Sequence, residues 1–403
     1  MLISVGLVIL YEEKILLVRQ RKDQNGMHLS IPKGGMKTGE GLLTTAIRET
    51  YEETGIKMTM DKIIPEPYLI SQNNETFQRR IIYFVTRLEE KADTCPIDTD
   101  EISWAGFLPY NEAEQNLQIT QQSVLMHLNP KRIPQKFMEW LCFKGIIRKE
   151  HHYEDHKLCI YDYTPLCKQY EFWNEVTLWS RGLIADLQGN ILYRPMKKFF
   201  ELHQLYKEFI PNGKEVFELY EKKDGVLGLL YWKDGFPFIA TRNSFISKQA
   251  ILGTSILYRK YAHAFSSLDK DLTYYFEIVS PDTRNIVNYG SCEDLFLIGA
   301  YHNLLNKEIH LSKLLHLPFP RVEHFPSHGN LKELLLYDRI NEEGFVAVYA
   351  NWRRIKIKFA NYKKQYAEKY LKFIRMYILF FHKHLWTSEV FIRRCLAVYR
   401  NDY

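Results

Sequence analysis

Cysteine is sparse in this chain, and none of it is spaced for a metal knuckle. The six residues (Cys95, Cys142, Cys159, Cys167, Cys292 and Cys395) contain no C-x-x-C. That argues against a disulfide scaffold or a zinc site and points to a reducing, cytoplasmic setting. Long apolar runs are missing too. Met376 to Phe381 is an apolar stretch of six residues, far below the roughly 20 needed to span a bilayer, so no membrane partner is expected. The N-terminal MLISVGLVIL lacks a basic leader and a cleavage site and reads as a strand. No G-x-x-x-x-G-K-[ST] loop is present, which removes a kinase-type phosphate cradle. Internal repeats and low-complexity tracts are also absent. With 46% hydrophobic and 25% charged residues in 403, what remains is a soluble globular protein of two or three domains.

Charge divides the chain. Residues 1–130 carry 13 Lys+Arg against 18 Asp+Glu, a net of −5, whereas residues 131–403 carry 41 against 30, a net of +11. An acidic front suits metal ions or solubility, and a basic back suits a polyanion. The front opens as a β-hairpin, with VGLVILY and ILLVRQR around the turn-like EEK. A helix follows over Glu40–Thr54, where Leu42, Leu43, Ala46, Ile47 and Tyr51 recur at helical spacing and Gly55 closes it. A strand is expected over Arg80–Thr86 and a helix over Asn111–Leu128. The two prolines of His127–Pro134 and the change in charge put the end of the front domain near residue 130. Residues 131–150 then read as a linker, 151–360 as a second domain of short strands and a few helices, and 361–403 as a basic, mainly helical tail.

The chemistry-bearing pattern of the front is Gly34-x5-Glu40-x7-Arg48-Glu49-x2-Glu52-Glu53-x-Gly55-Ile56. On a helix, Glu49, Glu52 and Glu53 crowd one flank. A bare E-x-x-E-E is usually a solvated face, but packed like charges also suit a hard divalent ion such as Mg²⁺ or Mn²⁺. The full spacing resembles the Nudix box of the Nudix hydrolases. That resemblance implies an α/β/α sandwich that cleaves a nucleoside diphosphate-linked substrate. It further implies that Glu49, Glu52 and Glu53 bind the metal that activates water, with Glu52 and Glu53 catalytic and Glu40 a further ligand. Thr50 departs from the family, which usually has an aliphatic residue there. Pro32-Lys33-Gly34 looks like the version found in dinucleoside-polyphosphate and diphosphoinositol hydrolases. Glu75, Glu101 and Trp104 are candidates for a base or a stacking surface outside the box.

The back holds Lys222-Lys223-Asp224-Gly225, a K-x-D-G that alone is a charged turn. Around it, in order, stand Ser180-Arg181-Gly182, Arg194–Phe200, Thr241-Arg242-Asn243-Ser244, Phe276-Glu277-Ile278, Glu343-Gly344-Phe345-Val346 and Lys356-Ile357-Lys358. This series is similar to the covalent nucleotidyltransferases. The RPMKKFF before the lysine and the SPDTRNIVNY after the glutamate resemble the phage-type, first-family ATP-dependent RNA ligases. The resemblance implies an α+β adenylation domain, ATP-grasp-like, in which Lys222 attacks the α-phosphate of ATP. The AMP then passes to an RNA 5′-phosphate and is displaced by a 3′-hydroxyl. In family terms Arg181 and Lys198 contact phosphate or nucleotide, Phe200 walls the adenine and Glu277 holds the ribose. Asp224 and Gly225 complete the nucleotide site, Glu343 coordinates metal, and Lys356 and Lys358 stabilise charge on the phosphates. Arg242 replaces a family lysine. A free lysine is more than about 99.9% protonated at pH 7, so Lys222 is expected to be buried among positive charge or metal.

DNA ligases and capping enzymes continue into an OB-fold after the last lysine motif, a module of roughly 50 residues or more. Only 45 residues follow Lys358 here, which favours an RNA ligase. The tail's Lys363, Lys364, Tyr366, Lys372, Arg375 and Tyr377 suit RNA binding, or simple packing on the core. His151, His152, His156 and Cys159 read as structural. The whole is expected to be an α/β chain, a Nudix sandwich followed by the ligase domain and a short helical tail. Its activities would be two, with the hydrolase preparing or resetting RNA 5′ ends for the ligase. The alternatives are a hydrolase of small nucleotides such as ADP-ribose or dinucleoside polyphosphates working independently, and a Nudix domain that only senses nucleotide.

Overall fold

The computed structural model describes residues 2–21, 28–73, 78–326 and 330–382, with Leu2, Gln72 and 373–382 as backbone only. The chain divides into two compact units. The first comprises 1–149, 157–180 and 184–192, and the second 150–156, 181–183 and the described residues from Tyr193 onward.

The first unit opens with the expected hairpin. Strands β1 (Leu2–Tyr11) and β2 (Lys14–Gln20) pair antiparallel through Leu10–Ile15 and Tyr11–Lys14, turning at Glu12, whose φ is +49°. Then come β3 (Lys33–Gly35), helix α1 (Leu42–Thr54), β4 (Ile64–Asn73), β5 (Gln78–Leu88) and β6 (Ile102–Pro109). They form one mixed sheet in the order β4-β5-β1-β2-β6, with β3 on β1 and β1 parallel to β5. Alternation along β1 explains the layers. Val5, Leu7 and Ile9 pack with Ala46 of α1 on one face, while Val8 and Leu10 pack on the other with Ala113, Leu117, Val124 and Leu125. The second cover is α2 (Tyr110–Asn116), a 3-10 turn and α3 (Leu125–Leu128). The helix expected over Asn111–Leu128 is therefore broken, at Leu117, which is extended (φ −69°, ψ 137°) and fully packed. The sandwich itself is the one expected.

The segment expected as a linker is largely regular structure. It carries α4 (Gln135–Phe143), with Phe137, Met138 and Leu141 buried, and the start of β7 (Ile147–His151). The apolar i, i+1, i+4 pattern of Phe137, Met138 and Leu141 is a helix face that the neighbouring prolines obscured. Beyond it lie β8 (Cys159–Tyr163), α5 (Pro165–Gln169), α6 (Glu175–Trp179), β9 (Arg181–Ala185) and β10 (Ile191–Tyr193), with the four strands ordered β10-β9-β8-β7.

The second unit contains β11 (Phe200–Glu201), β12 (Phe217–Lys222), β13 (Val226–Lys233), β14 (Phe236–Thr241), α7 (Lys248–Tyr261), β15 (Leu272–Val279), β16 (Asp294–His302), β17 (Lys307–Ile309), β18 (His324–Phe325), α8 (Leu331–Leu334), β19 (Gly344–Tyr349), β20 (Arg354–Lys358) and α9 (Ala360–His382). Two five-stranded sheets result, β11-β20-β19-β12-β18 and β14-β13-β15-β16-β17. α7 lays Ile256, Leu257 and Tyr261 on the second sheet beside Leu230, Ile239 and Phe276. Phe217, Leu219, Ala347, Ile355 and Ile357 line the first sheet, against which Tyr362 of α9 packs. No described helix is long and apolar enough to cross a membrane, and none of the five described cysteines forms a disulfide.

One ion pair joins the two sheets. Arg354 of β20 and Glu308 of β17 are both buried and meet in a two-pronged contact, with Nη1 2.8 Å from Oε1 and Nη2 bonded to Oε2. Removing one partner strands a charge in the interior, whereas removing both does not. Arg354→Met should lower the unfolding free energy by about 3–5 kcal/mol, and Arg354→Met/Glu308→Met should recover most of it, as read by urea titration.

Candidate active sites

The first site is built on α1. Its C-terminus is closed by Gly55 in the left-handed conformation (φ +76°), whose N–H bonds to Tyr51 O at 2.8 Å. Arg48 lies in the middle of the carboxylates and donates to Glu40 (2.6 and 2.9 Å), Glu49 (2.7 Å) and Glu52 (2.7 Å), and to the carbonyl of Gly35 (2.9 Å). Glu52 also meets Lys37 at 3.3 Å. Glu40, expected as a metal ligand, has both oxygens occupied. Arg48 takes both, and Thr45 Oγ1 and the Lys37 N–H share the second. The Arg48 guanidinium holds the Glu40 carboxyl down at about 2, so Glu40 anchors Arg48 and its lone pairs are spent there.

Gly34 is required by a close approach. A Cβ at this position would fall within 2.1–2.4 Å of the Glu49 carboxylate. Glu53 is 4% exposed and accepts the Lys33 N–H at 3.0 Å. Burial pushes its carboxyl up to about 8 against the pull of Lys33, with Glu49 and Glu101 adding to the rise. Burial likewise raises Glu49 and lowers the Lys33 ammonium. Among the described residues, no three Asp, Glu, His or Cys side chains gather closely enough to cage a metal unaided. The donors of Glu49, Glu52 and Glu53 are nevertheless hard oxygens, and the burial that raises Glu49 and Glu53 is a setting a divalent cation relieves. The group fits. Thr50, the departure from the family pattern, is fully buried, and its hydroxyl has no partner. Trp104 carries Arg19 over its ring at 5.9 Å, and Glu75 lies outside the described residues.

The second site centres on Lys222, the last residue of β12. Antiparallel pairing sets Lys222 opposite Gly344 on β19, and its Nζ donates to Glu343 Oε2 at 2.6 Å. Glu343 is 5% exposed and also faces Lys358 Nζ, 3.6 Å from Oε1. The expectation of a lysine pressed toward neutrality is not met in this state. Burial does disfavour the ammonium, but Glu343 and then Glu277 outweigh it, and the pKa of Lys222 is raised. The charge is held by carboxylates, where positive charge or metal is the expectation. Glu277 of β15 is itself pushed up to about 7 by burial, with Glu343 adding to the rise and Lys222 and Arg181 opposing it. Such buried acid around one amine suits a divalent cation beside Glu343.

Gly225 donates its N–H to Glu277 Oε1 at 3.1 Å, and a Cβ there would sit 2.5 Å from Ile278 O. Asp224, expected to touch nucleotide, is instead consumed by the protein. Its carboxylate accepts from the Ile286 and Val287 N–H groups (both 2.8 Å), Asn285 Nδ2 (3.1 Å) and the Tyr362 hydroxyl (2.8 Å), while its own N–H donates to Tyr289 Oη at 2.8 Å. This is the function of SPDTRNIVNY that the sequence left unassigned. A cavity of about 250 Å³ opens beside it, lined by Asp224, Gly225, Ser280, Thr283, Arg284 and Tyr289. Lys356 and Lys358 share one face of β20 by strand alternation, opposite Val346 and Gly344. Phe200 of β11 pairs with Ile355 and carries Lys198 Nζ 4.2 Å over its ring, while that ammonium donates to Phe199 O at 2.8 Å. Arg181 and Arg242 flank Gly182, whose Cβ would stand 3.2 Å from Arg242 Cα.

In the tail, Lys363 pairs with Glu201 at 2.7 Å, and Tyr366 packs at the edge of the core. That favours packing for these two, while the side chains of Arg375 and Tyr377 lie outside the described residues. His152 is buried and bonds Tyr231 Oη at 3.2 Å, a structural role as expected.

Comparison with known proteins finds matches to both parts of the chain. The NUDIX domain family matches residues 2–128, and the RNA ligase family of the T4 type matches residues 179–362. The chain is 23% identical over 234 residues, 52% of its length, to a protein of Autographa californica nuclear polyhedrosis virus provisionally named a bifunctional polynucleotide kinase/RNA ligase. It is 32% identical over 62 residues, 15% of its length, to the RNA pyrophosphohydrolase of Roseobacter denitrificans. It spans 33% and 39% of the lengths of these two relatives. Among solved structures, an RNA ligase of Naegleria gruberi with ATP and Mn is similar at 16% identity and a TM-score of 0.38, over 43% of this chain and 58% of that one. The chain thus carries a NUDIX domain at its N-terminus and a T4-type RNA ligase domain behind it.

The raised pKa of Lys222 has a directional consequence. Replacing Glu343 by its neutral isostere removes the charge that holds the ammonium, so the pKa falls and more amine is neutral at any pH below it. Lys222 should react with acetic anhydride at pH 8 roughly tenfold faster in Glu343→Gln than in the native protein, as read by peptide mass spectrometry.

Proposed function

Starting from a NUDIX domain and an RNA ligase domain in one chain, we propose a bifunctional RNA-processing enzyme. The ligase half adenylates itself on Lys222 with ATP, passes AMP to an RNA 5′-phosphate and joins that end to a 3′-hydroxyl. The observation that carries this is the contact of Lys222 with Glu343 at 2.6 Å, with Lys358 on the other oxygen of the same carboxylate.

The chemistry follows from those residues. Lys222 gives up its proton to water, and its lone pair forms a bond to the α-phosphorus as the bond to the bridging oxygen breaks. Pyrophosphate leaves with that electron pair. Glu343 would hold a divalent cation, whose positive charge would weaken the hold of the carboxylate on the ammonium and favour the neutral amine. Lys356 and Lys358 offset the charge that grows on the α-phosphate and the leaving group. Glu277 orients the ribose while its other contact, to the Gly225 N–H, keeps the segment after Lys222 in register. Arg181, Arg242 and Lys198 bind phosphate, and Phe200 walls the base.

The NUDIX half hydrolyses a nucleoside diphosphate linkage, and Glu49, Glu52 and Glu53 would hold Mg²⁺ or Mn²⁺, which would make water more acidic. Glu52 and Glu53 would orient the attacking water, and Arg48 keeps Glu49 and Glu52 in place. The 32% identity to an RNA pyrophosphohydrolase supports an RNA 5′ end as substrate. Hydrolysis of a 5′-triphosphate, a nucleotide cap or a stalled adenylate would leave the 5′-monophosphate that the ligase half consumes.

Incubation with α-labelled ATP and Mg²⁺ should label the denatured polypeptide, and Lys222→Ala should take no label. An unlabelled native protein, purified free of bound AMP, would sink the ligase half. In a Lys222→Ala background, 5′-triphosphorylated, capped or adenylated RNA should be hydrolysed in preference to ADP-ribose and dinucleoside polyphosphates. Glu52→Gln should abolish that hydrolysis, measured by release of labelled phosphate or nucleotide. Turnover of the small molecules alone would make the NUDIX half an independent nucleotide hydrolase.

A further inference from the structure

The first turn of α9 reaches back to the residue two places after Lys222. Tyr362 is 3% exposed. Its hydroxyl donates to Asp224 Oδ1 at 2.8 Å and accepts from Asn285 Nδ2 at 3.1 Å. A core tyrosine needs only one partner for its hydroxyl, and water often serves. Here the partner is the K-x-D-G carboxylate, itself the acceptor for Asn285, Ile286 and Val287. Two turns further on, Lys369 Nζ donates to Asn285 O at 2.6 Å, so α9 holds the 285–287 segment at two points.

The same helix also touches the other side of the site. Lys358 Nζ lies 5.3 Å from the ring centroid of Tyr362 and 5.5 Å from that of Tyr366, within reach of a cation–π attraction. Its remaining neighbour is Glu343, which also holds Lys222. One side chain thus fixes, through its hydroxyl, the turn that carries Lys222 and, through its ring, the approach of Lys358.

We propose that Tyr362 is a positioning residue for the self-adenylation step, fixing Lys222 and Lys358 relative to Glu343 by joining Asp224 to α9. This rests on the ligase reading above and assigns a role to a residue beyond the last lysine motif. Without the hydroxyl, Asp224 keeps Asn285, Ile286 and Val287 but loses its direct bond to the helix, and Lys222 gains room to drift. A displacement of about 1 Å at a reacting atom can reduce a rate a hundredfold.

The test compares native protein with Tyr362→Phe, which keeps the ring under Lys358, and with Tyr362→Leu, which loses both contacts. Single-turnover formation of lysyl-AMP should fall roughly tenfold in Tyr362→Phe and further in Tyr362→Leu, in line with a small misplacement. The ATP concentration giving half-maximal rate should stay within about twofold of native, since no nucleotide contact is lost. Asp224→Asn/Tyr362→Phe should be no slower than Asp224→Asn alone, because both act through one bond. Amide hydrogen exchange across 285–287 should quicken in Tyr362→Phe while exchange across α1 does not change. A native rate with native exchange in Tyr362→Phe overturns the proposal, as does a rate loss accompanied by a matching rise in half-saturation and a lowered Tm. If native protein takes no label on Lys222 the ligase reading falls and the catalytic role with it, whereas labelled native protein with an unaltered Tyr362→Phe sinks the positioning role alone.

Discussion

A buried charge has to be answered where it stands, and in this protein the answer to Lys222 is Glu343. Lys222 ends β12 and Glu343 stands just before β19, so the pairing of Lys222 with Gly344 brings the amine and the carboxylate to 2.6 Å. Several further contacts surround that pair. Gly225 and Glu277 hold the strand after the lysine, Lys358 takes the second oxygen of Glu343, and Asp224 gathers the following loop. The cost of an uncompensated charge in the interior, several kcal/mol, is what makes each of these contacts obligatory. In this state Glu343 and Glu277 outweigh burial and favour the charged form of Lys222.

The first unit solves a related problem with the opposite sign. Four carboxylates converge along α1 and its preceding loop, and a single guanidinium, Arg48, reaches three of them. Arg48 makes no contact with Glu53, and burial raises its carboxyl against the pull of Lys33. The helix therefore presents one carboxylate group already neutralised and another that is not. The oxygens of Glu40 are taken by Arg48, Thr45 and Lys37.

The tail shows how packing and chemistry share a residue. Basic and aromatic side chains at helical spacing suit a nucleic-acid surface and a core-facing helix alike, because an aromatic ring serves as stacking platform or core filler and a lysine can pair with phosphate or with glutamate. Lys363 on Glu201 and Tyr362 in the core resolve that ambiguity for the first turn of α9. They do so by contacts to residues more than 130 positions away, which no local pattern encodes.

Much of this protein was legible in its sequence. The hairpin, the helix ending at Gly55 and the order of the motifs follow from spacing, because they depend on short-range geometry, whereas the parts given to Lys222, Glu343 and the α1 carboxylates come from the family resemblance. The broken helix before Leu128 and the helix inside 135–143 were misread, since prolines and polar residues outweighed weak periodicity that tertiary packing made decisive. Tertiary structure alone decided three further matters. It put Arg48 on both oxygens of Glu40, gave the Asp224 carboxylate donors from Asn285, Ile286, Val287 and Tyr362, and set the Glu343 carboxylate on Lys222. In each case the outcome depends on which distant group fills the last coordination position of a buried polar atom. Spacing along the chain names the candidates for a charge, and the fold determines which of them reaches it.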